Sequence, residues 1–125
     1  MADLKNIALT IEAERVAVEL ARGFPATDRM DFARLGFAYA VREGMSLERD
    51  GHFGNRGGSN YNSAGIDVGG SMAEAVSIFY PDEASSEPYR AIETLMNKGL
   101  VVLGEHLEQG IIGSIGDLMP EHSPS

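Results

Sequence analysis

Apolar residues recur along this chain with two different periods, and the change of period predicts its first elements. Near the start, Ile7 and Leu9 alternate with polar or small neighbours, a pattern typical of a short strand with one buried face. After Thr10, whose hydroxyl can cap a first turn, the apolar spacing becomes helical and continues to Arg22. Gly23 then ends this helix, so the chain begins with a strand followed by a helix.

A second helix is predicted between Asp28, which can cap its start, and Gly44, which can end it. Large and small residues alternate there as in a strand, but the signals at both ends favour a helix. The helix contains seven consecutive uncharged residues, 35 to 41, and a helix that is apolar all round must be covered on more than one side. We therefore expect one face in the core and the other against a second subunit. The expected interface residues are Leu35, Gly36, Phe37, Tyr39 and Val41.

The order strand, helix, turn, helix within about 44 residues is that of a ribbon-helix-helix module. A strand this short has no obvious partner strand within its own module. We therefore expect a second copy of the chain to supply the partner strand. In a dimeric transcriptional regulator of this type, strand residues such as Lys5, Asn6 and Ala8 would read the major groove.

Residues 44 to 71 differ from the rest because they contain eight of the fifteen glycines. The clusters at 57–60 and 69–71 could cradle a phosphate, but neither matches a P-loop or a dinucleotide-binding fingerprint. Long Gly-rich loops in small domains are typically functional or mobile. We expect a flexible or partner-facing connection here and no active site.

The second half of the chain predicts two further helices. Ser71 and Glu74 form a capping box at the start of a short one. A longer helix of about 23 residues follows, with Pro88 in its first turn and Gly110 beyond its end. The expected fold is mainly α: a ribbon-helix-helix-related helical domain with a short N-terminal strand, a long Gly-rich loop and a long C-terminal helix.

Length and composition limit the classes of protein to consider. A chain of 125 residues forms one domain, expected to span 1–119, with a polar, disordered tail at 120–125. The absence of cysteine excludes disulfides and thiolate metal sites. No apolar stretch is long enough for a membrane span, and no signal sequence is recognisable, which predicts a cytoplasmic protein without membrane contact.

The net charge of −9 hides an asymmetry between the two halves of the chain. Residues 1–56 carry eight basic and nine acidic side chains, whereas residues 57–125 carry two and ten, giving −1 and −8. A surface that binds DNA is therefore expected in the first half. Its expected residues are Lys5, Arg15, Arg22 and Arg29. Arg34 is instead expected to pair with Asp31 or Glu43, and the overall acidity could alternatively reflect adaptation to a salty interior.

The sequence contains no recognisable catalytic constellation. His52, His106 and His122 lie in a predicted loop, near a helix end and in the tail, so no hydrolytic triad can be assembled. Asp50 with His52, or Glu105 with His106, lacks the spacing of a specific metal site. We therefore assign no catalytic residue, no metal and no cofactor.

A set of segments distributed along the chain carries a resemblance to a known family. The segments are Ala33-Arg34-Leu35-Gly36-Phe37, Val41-Arg42-Glu43, Ser46-Leu47-Glu48-Arg49-Asp50-Gly51, Ile78-Phe79-Tyr80-Pro81 and Lys98-Gly99-Leu100. In this order, over roughly residues 5 to 119, the chain resembles DndE, the small protein of the DNA phosphorothioation gene clusters. The resemblance implies a ribbon-helix-helix-related fold, a compact homotetramer and binding to nicked double-stranded DNA through surface lysines. It also implies work beside the other Dnd proteins, which replace a backbone phosphate oxygen with sulfur.

The sequence departs from the family at the end of the first helix, where that family tends to be lysine-rich and this chain has only Arg22 before Gly23. The family pattern supplies no catalytic residue here. The expected function is a non-catalytic DNA-binding or scaffolding subunit of the DNA phosphorothioation machinery, acting as a homo-oligomer. The dimeric regulator is the alternative, although such a regulator needs neither the Gly-rich loop nor the long last helix.

Overall fold

The computed structural model describes residues 3–24, 27–82 and 86–110 and is mainly helical, with a short two-stranded sheet. Its elements in chain order are β1 (Asn6–Ala8), α1 (Ile11–Gly23), α2 (Arg29–Arg42), β2 (Asn60–Asn62), α3 (Ser63–Ile66), α4 (Ser71–Phe79) and α5 (Pro88–Glu108). A 3-10 turn at Val68–Gly70 joins α3 to α4. The predicted tail at 120–125 lies outside the described residues. Within the described ranges, no helix combines the length and the apolar character needed to cross a bilayer.

Helix α5 is the centre of the fold, and α2 packs along it. All ten residues from 91 to 100 are buried, as expected for a helix covered on several sides. The two helices approach most closely where Gly36 faces Gly99. A Cβ built on Gly99 would overlap the carbonyl oxygen of Gly36 and lie 2.7 Å from its carbonyl carbon. Two glycines therefore set the distance between the two main helices.

This packing changes the interpretation of the apolar second helix. Gly36, Phe37 and Tyr39, expected at a subunit interface, are buried within the protomer itself, with Phe37 and Tyr39 only 6% and 5% exposed. Leu35 and Val41 are partly exposed. The chain covers more of α2 than the sequence suggested, because α5 is long enough to lie along it.

Strand β1 pairs within its own chain, so the expectation that a second copy would supply its partner is wrong. Its partner is β2, in antiparallel register with Ile7 opposite Tyr61. The opposite edge of β1 is occupied as well, because side chains of α5 bond to the backbone of Ala8 and Thr10. Ala8, expected to read DNA in the regulator alternative, is 2% exposed. Neither edge of β1 is left for an intermolecular ribbon.

The Gly-rich segment contains elements of its own rather than a featureless connection, since β2 and α3 both lie within it. The start of α4 also differs from the expected capping box. The carboxylate of Asp67 accepts hydrogen bonds from the backbone N–H groups of Met72 (2.7 Å) and Ala73 (3.1 Å). Gly69 and Gly70, with φ of 82° and 76°, make the left-handed turn that brings Asp67 back onto the helix.

Candidate functional site

Buried polar side chains of α5 hold the loop between α2 and β2. Lys98 is only 3% exposed. Its Nζ donates hydrogen bonds to the carbonyl oxygens of Ser46 (2.8 Å) and Glu48 (2.7 Å), and it lies 3.3 Å from the Asp50 carboxylate. Burying an ammonium group is costly unless its protons are bonded and its charge is paired. Both conditions hold here, so Lys98 fixes the course of the loop.

Five residues earlier on the same helix, Glu93 is fully buried and forms ion pairs with two arginines of the same loop. Its carboxylate lies 2.7 Å from the Arg49 guanidinium and 2.9 Å from that of Arg56. It also accepts a hydrogen bond of 2.9 Å from the backbone N–H of Ala8. Burial lowers the pKa of Arg49, and the bond to Glu93 opposes that shift. Arg49 remains charged, because an arginine pKa is far above neutral pH.

Asn97 lies four residues after Glu93, on the same side of α5. Its Oδ1 accepts from the backbone N–H of Thr10 (2.7 Å), and its Nδ2 donates to the carbonyl of Ala8 (2.9 Å). Residues four apart on a helix point to the same side. We call Glu93, Asn97 and Lys98, with the loop and strand atoms that they bind, the α5 junction.

His52 and His106 each make polar contacts, and these contacts are separate from one another. His52 lies 3.7 Å from the Asp50 carboxylate and 3.5 Å from that of Glu105. The backbone N–H of His52 is the main reason that the pKa of Asp50 is lowered from its ordinary value. His106 Nδ1 is hydrogen-bonded to the Tyr39 hydroxyl, whose pKa is raised mainly by burial.

The side chains of the α5 junction bind one another and the backbone. In the described residues, every buried side-chain nitrogen or oxygen has a hydrogen-bond partner. The same part of the chain contains no group of three or more His, Cys, Asp or Glu residues that could hold a metal. This arrangement joins the strand β1 and the loop at 46–56 to helix α5 through buried polar and charged side chains.

The four residues predicted to bind DNA are all exposed, but they do not form a uniformly basic surface. They are Lys5, Arg15, Arg22 and Arg29. The Arg22 guanidinium lies 2.6 Å from Glu19, and that of Arg29 lies 3.0 Å from Glu14. Acidic side chains thus alternate with basic ones along α1, which lowers the positive potential available to a phosphate.

Sequence reasoning overlooked the α5 junction, although a signal was present. Glu93, Asn97 and Lys98 interrupt the most apolar part of the longest helix, and polar residues at buried positions require partners. The predicted pairing of Arg34 with Asp31 is confirmed, with 2.9 Å between Nη1 and Oδ1.

Three of the five segments that resemble the DndE family meet at Lys98 and Gly99. Gly99 meets Gly36 of the first segment, and Lys98 binds the loop segment at Ser46 and Glu48. The Tyr80 hydroxyl, from the Ile78–Pro81 segment, donates to the carbonyl of Met45 next to that loop, at 2.6 Å.

Comparisons of this chain with protein-family models, curated proteins and solved structures find no match. A proposal of function therefore depends on the residues themselves, on the resemblance that they carry and on their arrangement in space.

Proposed function

We propose that this protein is a non-catalytic scaffolding subunit of the DNA phosphorothioation machinery, of the DndE type. The observation that carries the proposal is that three of the resembling segments meet at Lys98 and Gly99. The segments at 33–37 and 46–51 lie far from 98–100 in the sequence, yet both contact it in the fold. These contacts support treating the three segments as one pattern.

Scaffolding fits the surface charges better than strong DNA binding does. The net charge is −9, and two of the four proposed DNA contacts, Arg22 and Arg29, are paired with glutamates. Neutralising phosphates is the main source of DNA affinity. We propose that contact with nicked double-stranded DNA is weak and that the main contacts are with other Dnd-type proteins.

The exposed apolar end of α4 supports assembly through protein contacts. Ile78 and Phe79 are 64% and 62% exposed, although neighbouring Tyr80 is buried. Two adjacent large apolar side chains in water favour an interface. Both belong to a segment that carries the family resemblance, and we propose that they contribute to a homotetramer with the part-exposed Leu35 and Val41.

The assembly can be tested by light scattering on the purified protein at micromolar concentration. We expect a monodisperse particle about four times the chain mass of 13.4 kDa. The double variant Ile78→Asp, Phe79→Asp should form smaller particles, because burying two unpaired carboxylates in an interface is strongly unfavourable. A variant with the same charge change at exposed polar positions, Ser71→Asp with Ser77→Asp, should keep the wild-type mass. A monodisperse wild-type particle of 13.4 kDa would contradict the proposed tetramer.

DNA binding gives a second test, with a nicked duplex as the probe. We expect sequence-independent binding that weakens steeply between about 50 and 200 mM salt. Changing Arg15, Arg22 and Arg29 to glutamate should abolish it at low salt. A comparison variant with two such changes away from α1, Arg42→Glu with Arg90→Glu, should reduce binding far less. Unchanged affinity in the triple variant would rule out this surface.

The function itself is tested by deleting the gene in its host. Phosphorothioate linkages in nuclease-digested DNA, measured by mass spectrometry, should be present before deletion, disappear after it and return with the wild-type gene. The purified protein alone should show neither nuclease nor ATPase activity. Unchanged phosphorothioate content after deletion would refute the proposal, as would a cleavage activity that disappears when Asp50 or His52 becomes alanine.

The alternative of a dimeric ribbon-helix-helix regulator is less well supported. It requires β1 of one protomer to pair with β1 of another, whereas β2 and α5 occupy both edges of this strand.

A further inference from the structure

A groove of about 420 Å³ runs between α1 and α5, and none of its lining residues belongs to the α5 junction. Its apolar lining consists of the half-buried side chains Val16, Leu20, Val101 and Leu107. The two helices nearly touch at its floor, where a Cβ on Gly104 would lie 2.9 Å from Cγ2 of Val16. The groove is therefore shallow at Gly104 and bordered by apolar side chains.

Charged side chains also line this groove, and they are mostly acidic. Four carboxylates, of Glu12, Glu19, Glu105 and Glu108, face one guanidinium, that of Arg15. Within the part of the chain that the structure describes, Glu12 and Glu108 form no ion pair, whereas Glu19 pairs with Arg22 and Glu105 lies beside His52. An apolar strip with a net negative rim is complementary to a partner that is apolar along one stripe and basic beside it.

The length of the groove fits a short helical segment. Along α1 the lining extends from Glu12 to Leu20, which is about 12 Å at 1.5 Å per residue. This is a little more than two helical turns, enough for apolar anchors at positions i, i+3 or i+4, and i+7.

A second copy of this chain is a poor occupant, because its own groove is acidic in the same way. Two such grooves facing one another across a two-fold axis would oppose like charges. Nucleic acid is disfavoured for the same electrostatic reason.

We infer that the groove between α1 and α5 binds a basic amphipathic helix of a partner protein, through apolar anchors between the helices and ion pairs with the glutamate rim. This site is separate from the exposed end of α4 and does not depend on the partner belonging to a phosphorothioation system.

The probe for this inference is a synthetic peptide of about 18 residues made of leucine and lysine, with leucine at helical i, i+3, i+4 and i+7 spacing. Titrated into the isotopically labelled protein, it should shift amide resonances of the groove residues on α1 and α5. The same peptide with glutamate in place of lysine should bind at least tenfold more weakly. Shifts confined to residues outside the groove would overturn the inference.

Matched variants distinguish peptide binding in the groove from general attraction of a basic peptide to an acidic protein. Glu12→Gln with Glu108→Gln should weaken peptide binding about tenfold. Glu48→Gln with Glu74→Gln, which changes the net charge equally at exposed positions outside the groove, should change it less than about twofold. Equal weakening by both pairs would show attraction to net charge alone and would overturn the inference.

A neighbouring pair of valines tests the apolar part of the groove. Val101→Thr preserves side-chain shape but adds a hydroxyl to the lining, so peptide affinity should fall about fivefold. Val102, also half-buried but not part of the lining, provides the control, and Val102→Thr should leave affinity within about twofold. If Val101→Thr instead changes the mass of the free protein in solution, the groove is a self-association surface and the inference fails.

Discussion

Replacing Gly99 by alanine is expected to lower the free energy of unfolding by about 3 kcal/mol or more. The added Cβ would overlap the carbonyl oxygen of Gly36 and lie 2.7 Å from the carbonyl carbon. Backbone atoms cannot rotate aside as a side chain can, so α2 and α5 would have to separate along their whole contact. Urea denaturation followed by circular dichroism measures the effect, which corresponds to a fall in Tm of roughly 10 °C.

Two other glycines provide a graded comparison. At Gly36 a Cβ would lie 2.6 Å from Cγ of Leu100 and 2.9 Å from the carbonyl oxygen of Met96. Part of this overlap is with a flexible side chain, so Gly36→Ala should destabilise the protein less than Gly99→Ala. Gly23 has no atom within 4 Å of a built Cβ, and Gly23→Ala should be neutral or slightly stabilising. A Gly99→Ala variant within about 1 kcal/mol of wild type would contradict this account of the helix contact.

The sequence predicted well those elements whose signals are local. Thr10 caps α1 through the backbone N–H of Ala13, and Asp28 caps α2 through that of Met30. Each of these bonds spans only two or three residues. Capping and helical periodicity act within a single turn, so they can be recognised without knowing the fold.

The elements that sequence analysis missed depend on contacts between distant residues. Strand β2, Asn60–Asn62, is three residues long and has a polar, exposed residue at each end, so it shows no recognisable period. It exists because β1 lies beside it. The cap of α4 is likewise supplied by Asp67, from outside the helix. The local pattern of Ser71 and Glu74 predicted a capping box instead.

The surface proposed to bind DNA was predicted only in part, because exposure depends on local position whereas ion pairing also depends on distant residues. Exposure of Arg15, Arg22 and Arg29 followed correctly from their positions at the polar face and ends of helices. The pairing of Arg29 with Glu14 did not, because it joins residues of two different helices, whereas Arg22 and Glu19 are three residues apart on α1. A count of basic residues along the sequence therefore overestimated the positive charge available to DNA.

The second large effect is expected at Glu93. Glu93→Ala should lower the free energy of unfolding by about 3 kcal/mol, because it leaves a partly buried guanidinium without its counter-charge. Arg49 is the group most affected, since its side chain is only 20% exposed, whereas Arg56 is 45% exposed and can be hydrated. The backbone N–H of Ala8 would also lose its acceptor, and this adds to the destabilisation.

A double-mutant cycle separates the contribution of the Glu93–Arg49 ion pair to stability from the contribution of side-chain packing. If the main effect is an unpaired Arg49, then Glu93→Met with Arg49→Met should recover part of the stability lost in Glu93→Met alone, because a buried ion pair can be replaced by apolar side chains of similar volume. Hydrogen exchange locates the change: in Glu93→Gln the amide of Ala8 and the loop at 46–56 should exchange faster, while the α2–α5 contact at Gly36 stays protected. The exposed Glu74→Gln provides the control and should alter neither stability nor exchange. A loss below about 1 kcal/mol in Glu93→Ala would mean that the α5 junction is held by packing, with its charges contributing little.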